Sequence, residues 1–207
     1  MKSNKGFSLI ELIIVIAIMV ILIGAGGFGL SLLFGTEARS AWKNMDAQLN
    51  DVKTGAMSRA SECMYVYYID VPDTDKDDWA QKGVDTSGFY ADKRISTIDN
   101  VTTIVTPMGD GEYSRIGSAK VTFKAICTDG TEYEIKNDGS TAIEIEYDRK
   151  TGKLNDLRMG SMSGVSSSGD GTFSSSSTGT LKELTFTYGL RTYTISFDAE
   201  VGTHKME

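Results

Sequence analysis

Residues 7–34 form one run of apolar and small side chains broken by a single charge, Glu11, and nothing else restricts the fold so strongly. Wound as a helix rising 1.5 Å per residue, the run extends roughly 40 Å, more than the ~30 Å of hydrocarbon in a bilayer. Lys2 and Lys5 precede it, whereas Glu37 and Arg39 cancel after it. The positive-inside rule therefore sets the amino terminus in the cytoplasm and the bulk of the chain outside.

Three readings compete for this run. A secretory signal peptide accounts for the basic start, but the stretch is too long, carries a carboxylate near its beginning and ends in no clean A-x-A site. A plain single-pass anchor accounts for the length but not for Glu11, because a carboxylate near the end of a membrane helix is costly and usually has a reason. The third reading covers both. The stretch Lys5-Gly6-Phe7-Ser8-Leu9-Ile10-Glu11-Leu12 resembles the type III signal of type IV pilins and pseudopilins. That resemblance implies cleavage between Gly6 and Phe7 by a prepilin peptidase on the cytoplasmic side, and N-methylation of Phe7 by the same enzyme. Residues 1–6 are then a short basic leader, and the apolar segment stays in the mature protein. The resemblance also implies partners: sibling pilin subunits, a membrane assembly platform and a cytoplasmic assembly ATPase.

Elementary chemistry supports these roles. Gly6 has no side chain, so a protease can approach the backbone closely. Glu11 lies four residues, about one helical turn, after Phe7. Moving a carboxylate into apolar surroundings is expensive unless a charge partner comes with it. The amine of Phe7 on an adjacent subunit would supply that partner, so Glu11 rewards docking in register. One departure from the family stands out. Many pilins carry a helix-breaking proline midway, but here position 28 is Phe, and Gly24, Gly26, Gly27 and Gly29 crowd around it. Each interior glycine costs a helix ~1 kcal/mol relative to alanine. These four are helix-melting candidates as a subunit leaves lipid, with close packing of neighbouring helices as the other reading.

After Gly35 the pattern becomes amphipathic. Ala38, Trp42, Met45, Leu49, Val52 and Ala56 recur at helical spacing with charges between them. This predicts a helix over 35–60, running to about Ser58, with one apolar stripe. Downstream, Val121, Phe123, Ala125 and Cys127 alternate toward Thr128-Asp129-Gly130, with Tyr133 and Ile135 beyond. A three-residue loop pairs Phe123 with Ile135 and Ala125 with Tyr133, keeping one apolar face and giving Gly130 the left-handed position. Around Gly189-Leu190, a two-residue turn pairs Phe186 with Tyr193 and Leu184 with Ile195. Ile143, Ile145 and Tyr147 suggest a further strand ending at Lys150-Thr151-Gly152, and residues 65–71 and 101–106 are weaker candidates. Sixteen of the twenty residues in 161–180 are Ser, Thr or Gly, which predicts a flexible loop. The fold class expected is α+β: a long N-terminal helix, its first half transmembrane or filament core, its second half packed on an antiparallel sheet in a head domain over 61–207.

The remaining chemistry is mostly exclusion. With 28 Asp+Glu against 21 Lys+Arg and no basic cluster, the chain lacks a nucleic-acid-binding surface. His204 is the single histidine, placed in a tail expected to fray, so histidine-based catalysis and multi-histidine metal sites are not expected. Asp73-Thr74-Asp75-Lys76-Asp77-Asp78 faintly suggests a calcium loop, yet Asp78 stands where the sharp turn needs Gly and Val84 where the bidentate Glu belongs. Asn100-Val101-Thr102 matches a glycosylation sequon. Cys63 and Cys127 permit a disulfide in an extracellular chain, with two buried free thiols as an equal alternative. No cofactor and no enzymatic constellation is expected. The leading function is a structural subunit of a type IV pilus or related pseudopilus, held first in the cytoplasmic membrane and then in a surface filament. The alternative is a membrane-tethered ligand-binding or adhesion protein that does not polymerise and keeps its first six residues.

Overall fold

Helix α1 (Leu9–Ser58) runs for 50 residues and supplies the axis on which everything else is hung. The computed structural model describes residues 9–58, 61–99, 102–107, 113–198 and 200–207, with side chains described at these except 22–35, 61–62, 95–99 and 102–107. The backbone stays helical through Gly24, Gly26, Gly27 and Gly29. In the second half of α1 the apolar stripe is sealed: Ala38, Met45, Leu49, Val52 and Ala56 are fully buried, and Trp42 packs half-buried beside them.

The chain continues as β1 (Ser61–Ile69), the short α2 (Lys76–Gln81), β2 (Gly88–Asp99), β3 (Thr102–Pro107) and β4 (Tyr113–Ser118). Then come β5 (Thr122–Cys127), β6 (Glu132–Ile135), β7 (Ala142–Glu146), β8 (Leu157–Ser166) and β9 (Gly169–Gly179). The last three strands are β10 (Leu181–Tyr188), β11 (Arg191–Asp198) and β12 (Thr203–Met206). A single sheet was expected over the stripe, but among the described residues there are two. A seven-stranded sheet has the order β3-β2-β1-β7-β8-β9 with β4 also on β2, and a five-stranded sheet has the order β12-β11-β10-β5-β6. All pairings are antiparallel. Open sheets of more than about ten strands tend to curl or split, and splitting lets two apolar faces close on one helix. One continuous core joins α1 to both sheets, with Met64 and Val66 from β1, Phe89 from β2, Phe123 from β5, and Leu184 and Phe186 from β10.

Both hairpin registers read from the alternation are present. Phe123 faces Ile135 and Ala125 faces Tyr133, with Gly130 at φ +86°. Phe186 faces Tyr193 and Leu184 faces Ile195, with Gly189 at φ +62°. In each case a slip of one residue would turn the apolar set away from the core.

The stretch 161–180 is a correction. It is not a loop but most of a hairpin, β8 and β9, which extends the seven-stranded sheet. Its composition cannot build a core of its own, yet it does not need one. Met159 and Met162 on β8 are buried, and Phe173 on β9 packs on Tyr65 with the rings tilted by 44° and their centroids 5.1 Å apart. Backbone pairing on an existing sheet edge and a few apolar anchors order a segment whose serines then face outward. Composition alone misses that, because strand pairing uses main-chain groups that every residue has.

The buried stripe carries a direct test. Urea unfolding of the detergent-solubilised chain should show Leu49→Ala less stable by about 2–5 kcal/mol, the usual cost of emptying a leucine site. Arg39→Ala, on the exposed side of α1, should change stability by less than ~0.5 kcal/mol.

Candidate functional site

Two environments divide α1. Every described side chain from 9 to 21 is exposed, with Leu9 at 77% and Ile21 at 68%. From Ala38 onward the stripe is enclosed by the head. Contiguous exposed apolar surface beyond a few hundred Å² marks an interaction site, in lipid or in protein. Among the described residues no helix is long and apolar enough to cross a membrane. Glu11 lies in the first turn of α1, on this exposed segment. Gly6 and Phe7 lie outside the described residues, so the cleavage point has no geometry to report.

The head grips the second half of α1 through side chains that reach backbone. Trp42 Nε1 donates to the Thr194 carbonyl at 2.8 Å, and Asn44 Nδ2 donates to the Ile116 carbonyl at 3.1 Å. Lys53 Nζ donates to the Gly202 carbonyl at 2.7 Å. Ser118 Oγ donates to Glu37 Oε2 at 2.9 Å, and Lys93 pairs with Asp51. His204 does not fray. It sits on β12 opposite Phe197, and its Nε2 lies 3.0 Å from Asp46 Oδ1. The tail is held because β12 pairs with β11 and lays its histidine against the helix. An acid at position 46 on the solvent side of the stripe was the available signal for that contact.

A second cluster lies on the other face of the seven-stranded sheet, and the sequence reading missed it. Tyr65 and Tyr67 on β1, Tyr90 on β2, Tyr113 on β4 and Trp79 on α2 are buried there. Asp92 and Arg94 from β2 are buried among them and paired at 2.6 Å. Tyr67 donates its hydroxyl to Asp92 at 3.1 Å, and the Arg94 guanidinium lies 5.0 Å from the Tyr65 ring centre. Arg94 also donates to the carbonyls of Gly171 (3.1 Å) and Asp170, while Lys82 pairs with the Asp170 carboxylate at 2.9 Å. In a flat sheet β9 would lie about 19 Å from β2, four strand spacings away. The hairpin β8–β9 therefore curls back over this face, and Arg94 clasps it there. Burial raises the Asp92 carboxyl above its ordinary value, and Arg94 and Tyr67 offset only part of that rise. The i, i+2 spacing of Asp92 and Arg94, which puts both on the face of β2 that carries Tyr90, was the one sequence clue.

Cys63 and Cys127 are free buried thiols, and the disulfide left open by the sequence is not made. They belong to different clusters, Cys63 among the tyrosines and Cys127 in the core against α1. Burial pushes the Cys63 thiol up to about 12 and raises Cys127 as well. Both are therefore poor nucleophiles at neutral pH. The acidic stretch 73–78 leads into α2, where the ammonium of Lys76 lies 2.6 Å from Asp73 and holds its carboxyl below the usual range. Among the described residues no group of three or more His, Cys, Asp or Glu is placed to hold a metal ion. The sequon residues Asn100 and Val101 lie outside the described residues.

Residues 1–27 match a family model described as the prokaryotic N-terminal methylation motif, the signal of type IV pilins and pseudopilins. No curated protein and no solved structure matches the chain. A signal of this type implies processing by a prepilin peptidase and assembly with pilins. It fits a membrane-anchored precursor and a cell-surface filament.

Proposed function

We propose that this chain is a structural, non-catalytic subunit of a type IV pilus or related pseudopilus. It polymerises through the first half of α1 after cleavage between Gly6 and Phe7. The methylation motif over residues 1–27 carries this reading. The division of α1 supports it: one half is sealed in a head, and the described side chains of the other, 9–21, are exposed and, apart from Glu11, apolar. In the precursor this apolar half lies in the cytoplasmic membrane, with the amino terminus in the cytoplasm. In the filament the same surface is buried against neighbouring helices. Glu11 then pairs with the methylated amine of Phe7 on an adjacent subunit, and the glycines at 24, 26, 27 and 29 give the helix its melting point. The head forms the outer surface.

Mass spectrometry of the amino terminus of subunits sheared from the cell surface tests this reading. The expected result is a chain beginning at N-methylated Phe7. A mature chain that keeps Met1 and stays in the membrane fraction would replace this reading with that of a tethered surface protein that does not polymerise.

A further inference from the structure

Past the first half of α1, three large apolar side chains stand exposed among the described residues: Met57 and Val201, each more than half exposed, and Leu190, exposed completely. They are not scattered. Trp42 bonds to Thr194, Phe197 is opposite the histidine that meets Asp46, and Lys53 reaches Gly202, so β11 runs alongside α1 in the same direction. Leu190, in the turn before β11, therefore lies at the amino end of the head, about 10–13 Å beyond Thr194. That is level with about residues 33–35 of α1, where the apolar run gives out. Val201, in the turn after β11, lies at the far end. Met57 is beside it. A Cβ on Gly152 would come within 3.0 Å of Met57 Sδ, and one on Gly202 would sit on the Gly152 carbonyl. Two turns thus meet backbone to backbone there, with Met57 and Val201 flanking the seam.

The two apolar sites are separated along α1 by about 22–24 residues, or roughly 35 Å. One copy cannot bring them together. Gly189 alone meets the backbone demand of the first turn, and nothing in turn geometry asks for leucine beside it. Charge does not choose a partner for either end. Arg39, Lys43 and Arg191 share the amino end with Glu207 and the acids between β1 and β2, and at the far end Lys153 is paired with Glu200. In a filament built on parallel α1 helices, the amino end of each head faces the far end of another. Two unlike surfaces that meet head to tail do not close on themselves, and their repetition gives an open fibre. Such a contact can be small, because helices already packed together hold the heads at high effective concentration.

We infer that Leu190 of one subunit inserts between Met57 and Val201 of a second copy of this chain, displaced by about 35 Å toward the amino end of the fibre. The inference deepens the proposed function and rests on its polymer. It gives the head an axial contact of its own, continuous with the apolar run of α1, and it sets the axial step between heads that touch.

Cysteine cross-linking in filaments sheared from cells that make the full-length chain tests it. Cys63 and Cys127 are each 1% exposed, so mild oxidation acts on introduced cysteines. Cysteine is itself a small apolar side chain, so the variants keep the contact. A disulfide needs Cα atoms within about 7 Å, a distance the two ends of one copy never reach. Leu190→Cys combined with Val201→Cys, or with Met57→Cys, is expected to give a ladder of dimer, trimer and higher species on non-reducing gels. Leu190→Cys alone, and Leu190→Cys combined with Asp129→Cys, are expected to stay monomeric. Asp129 follows Cys127, which pairs with Leu181, so it lies at the far end of the head but off the β11 side of the sheet. Dimers from Leu190→Cys alone overturn the inference in favour of a symmetric contact, and an equal ladder with Asp129→Cys overturns it as random collision. Monomers from every variant, in filaments of normal quantity, also overturn it and leave the filament reading intact. A wild-type chain that keeps Met1 and sheds no filaments removes both. Leu190→Asp supplies a second measurement: the chain should fold, and its sheared pool should fall about tenfold or more relative to its membrane pool. An unchanged ratio overturns the contact.

Discussion

Glu11→Ala is expected to yield a folded precursor, cleaved and methylated normally, that enters surface filaments at about one hundredth of the wild-type amount or less. The figure follows from the pair it removes. Taking one partner from a desolvated ion pair costs about 3–5 kcal/mol, and each 1.4 kcal/mol is a factor of ten. Glu11 stands on the exposed apolar segment, far from the head, so the fold below Ala38 has no stake in it. Comparing the membrane pool with the sheared pool by immunoblot separates failed assembly from failed folding. Glu11→Gln keeps the shape and loses the charge, and should fail nearly as badly. Filaments in normal quantity from either variant would remove the electrostatic registration from the proposed function.

Arg94→Ala is the most damaging single change expected in the head. Arg94 and Asp92 have side chains only 6% and 7% exposed, so losing the guanidinium leaves a buried carboxylate facing the hydroxyl of Tyr67 and empties the space over the ring of Tyr65. The expected destabilisation is about 3–5 kcal/mol. It should also free the hairpin, since the bonds to the carbonyls of Gly171 and Asp170 go with it. Hydrogen exchange should therefore rise in β9 beyond the global loss of stability. The double change Asp92→Leu with Arg94→Met should recover most of the stability but not the protection of β9. Protection restored in full would show that Phe173 and the backbone ladder hold the hairpin without the clasp.

How much of this was legible in the sequence depended on which groups do the holding. The stripe from Ala38 to Ala56 and the pairs Phe123–Ile135 and Phe186–Tyr193 were legible because side-chain burial has a period, and a period survives in one dimension. The amino-terminal signal was legible because its parts are contiguous. Division into two sheets was not, since nothing in an isolated strand says which neighbour it will choose. The hairpin β8–β9 and the ordered tail at His204 were misread for a related reason: their anchors, Phe173 on Tyr65 and His204 on Asp46, lie far away in the chain. Cys63 and Cys127 stand in different sheets, Cys63 on the tyrosine-lined face and Cys127 in the core against α1, a fact of strand pairing that counting cysteines cannot supply.

The grip of Arg94 on the hairpin has an evolutionary corollary. It takes hold of the main-chain oxygens of Asp170 and Gly171, and asks nothing of the side chains further along β9. Outward-facing serines along β9 can be exchanged one at a time without loosening that hold. That face can change its side chains while the scaffold beneath it stays fixed.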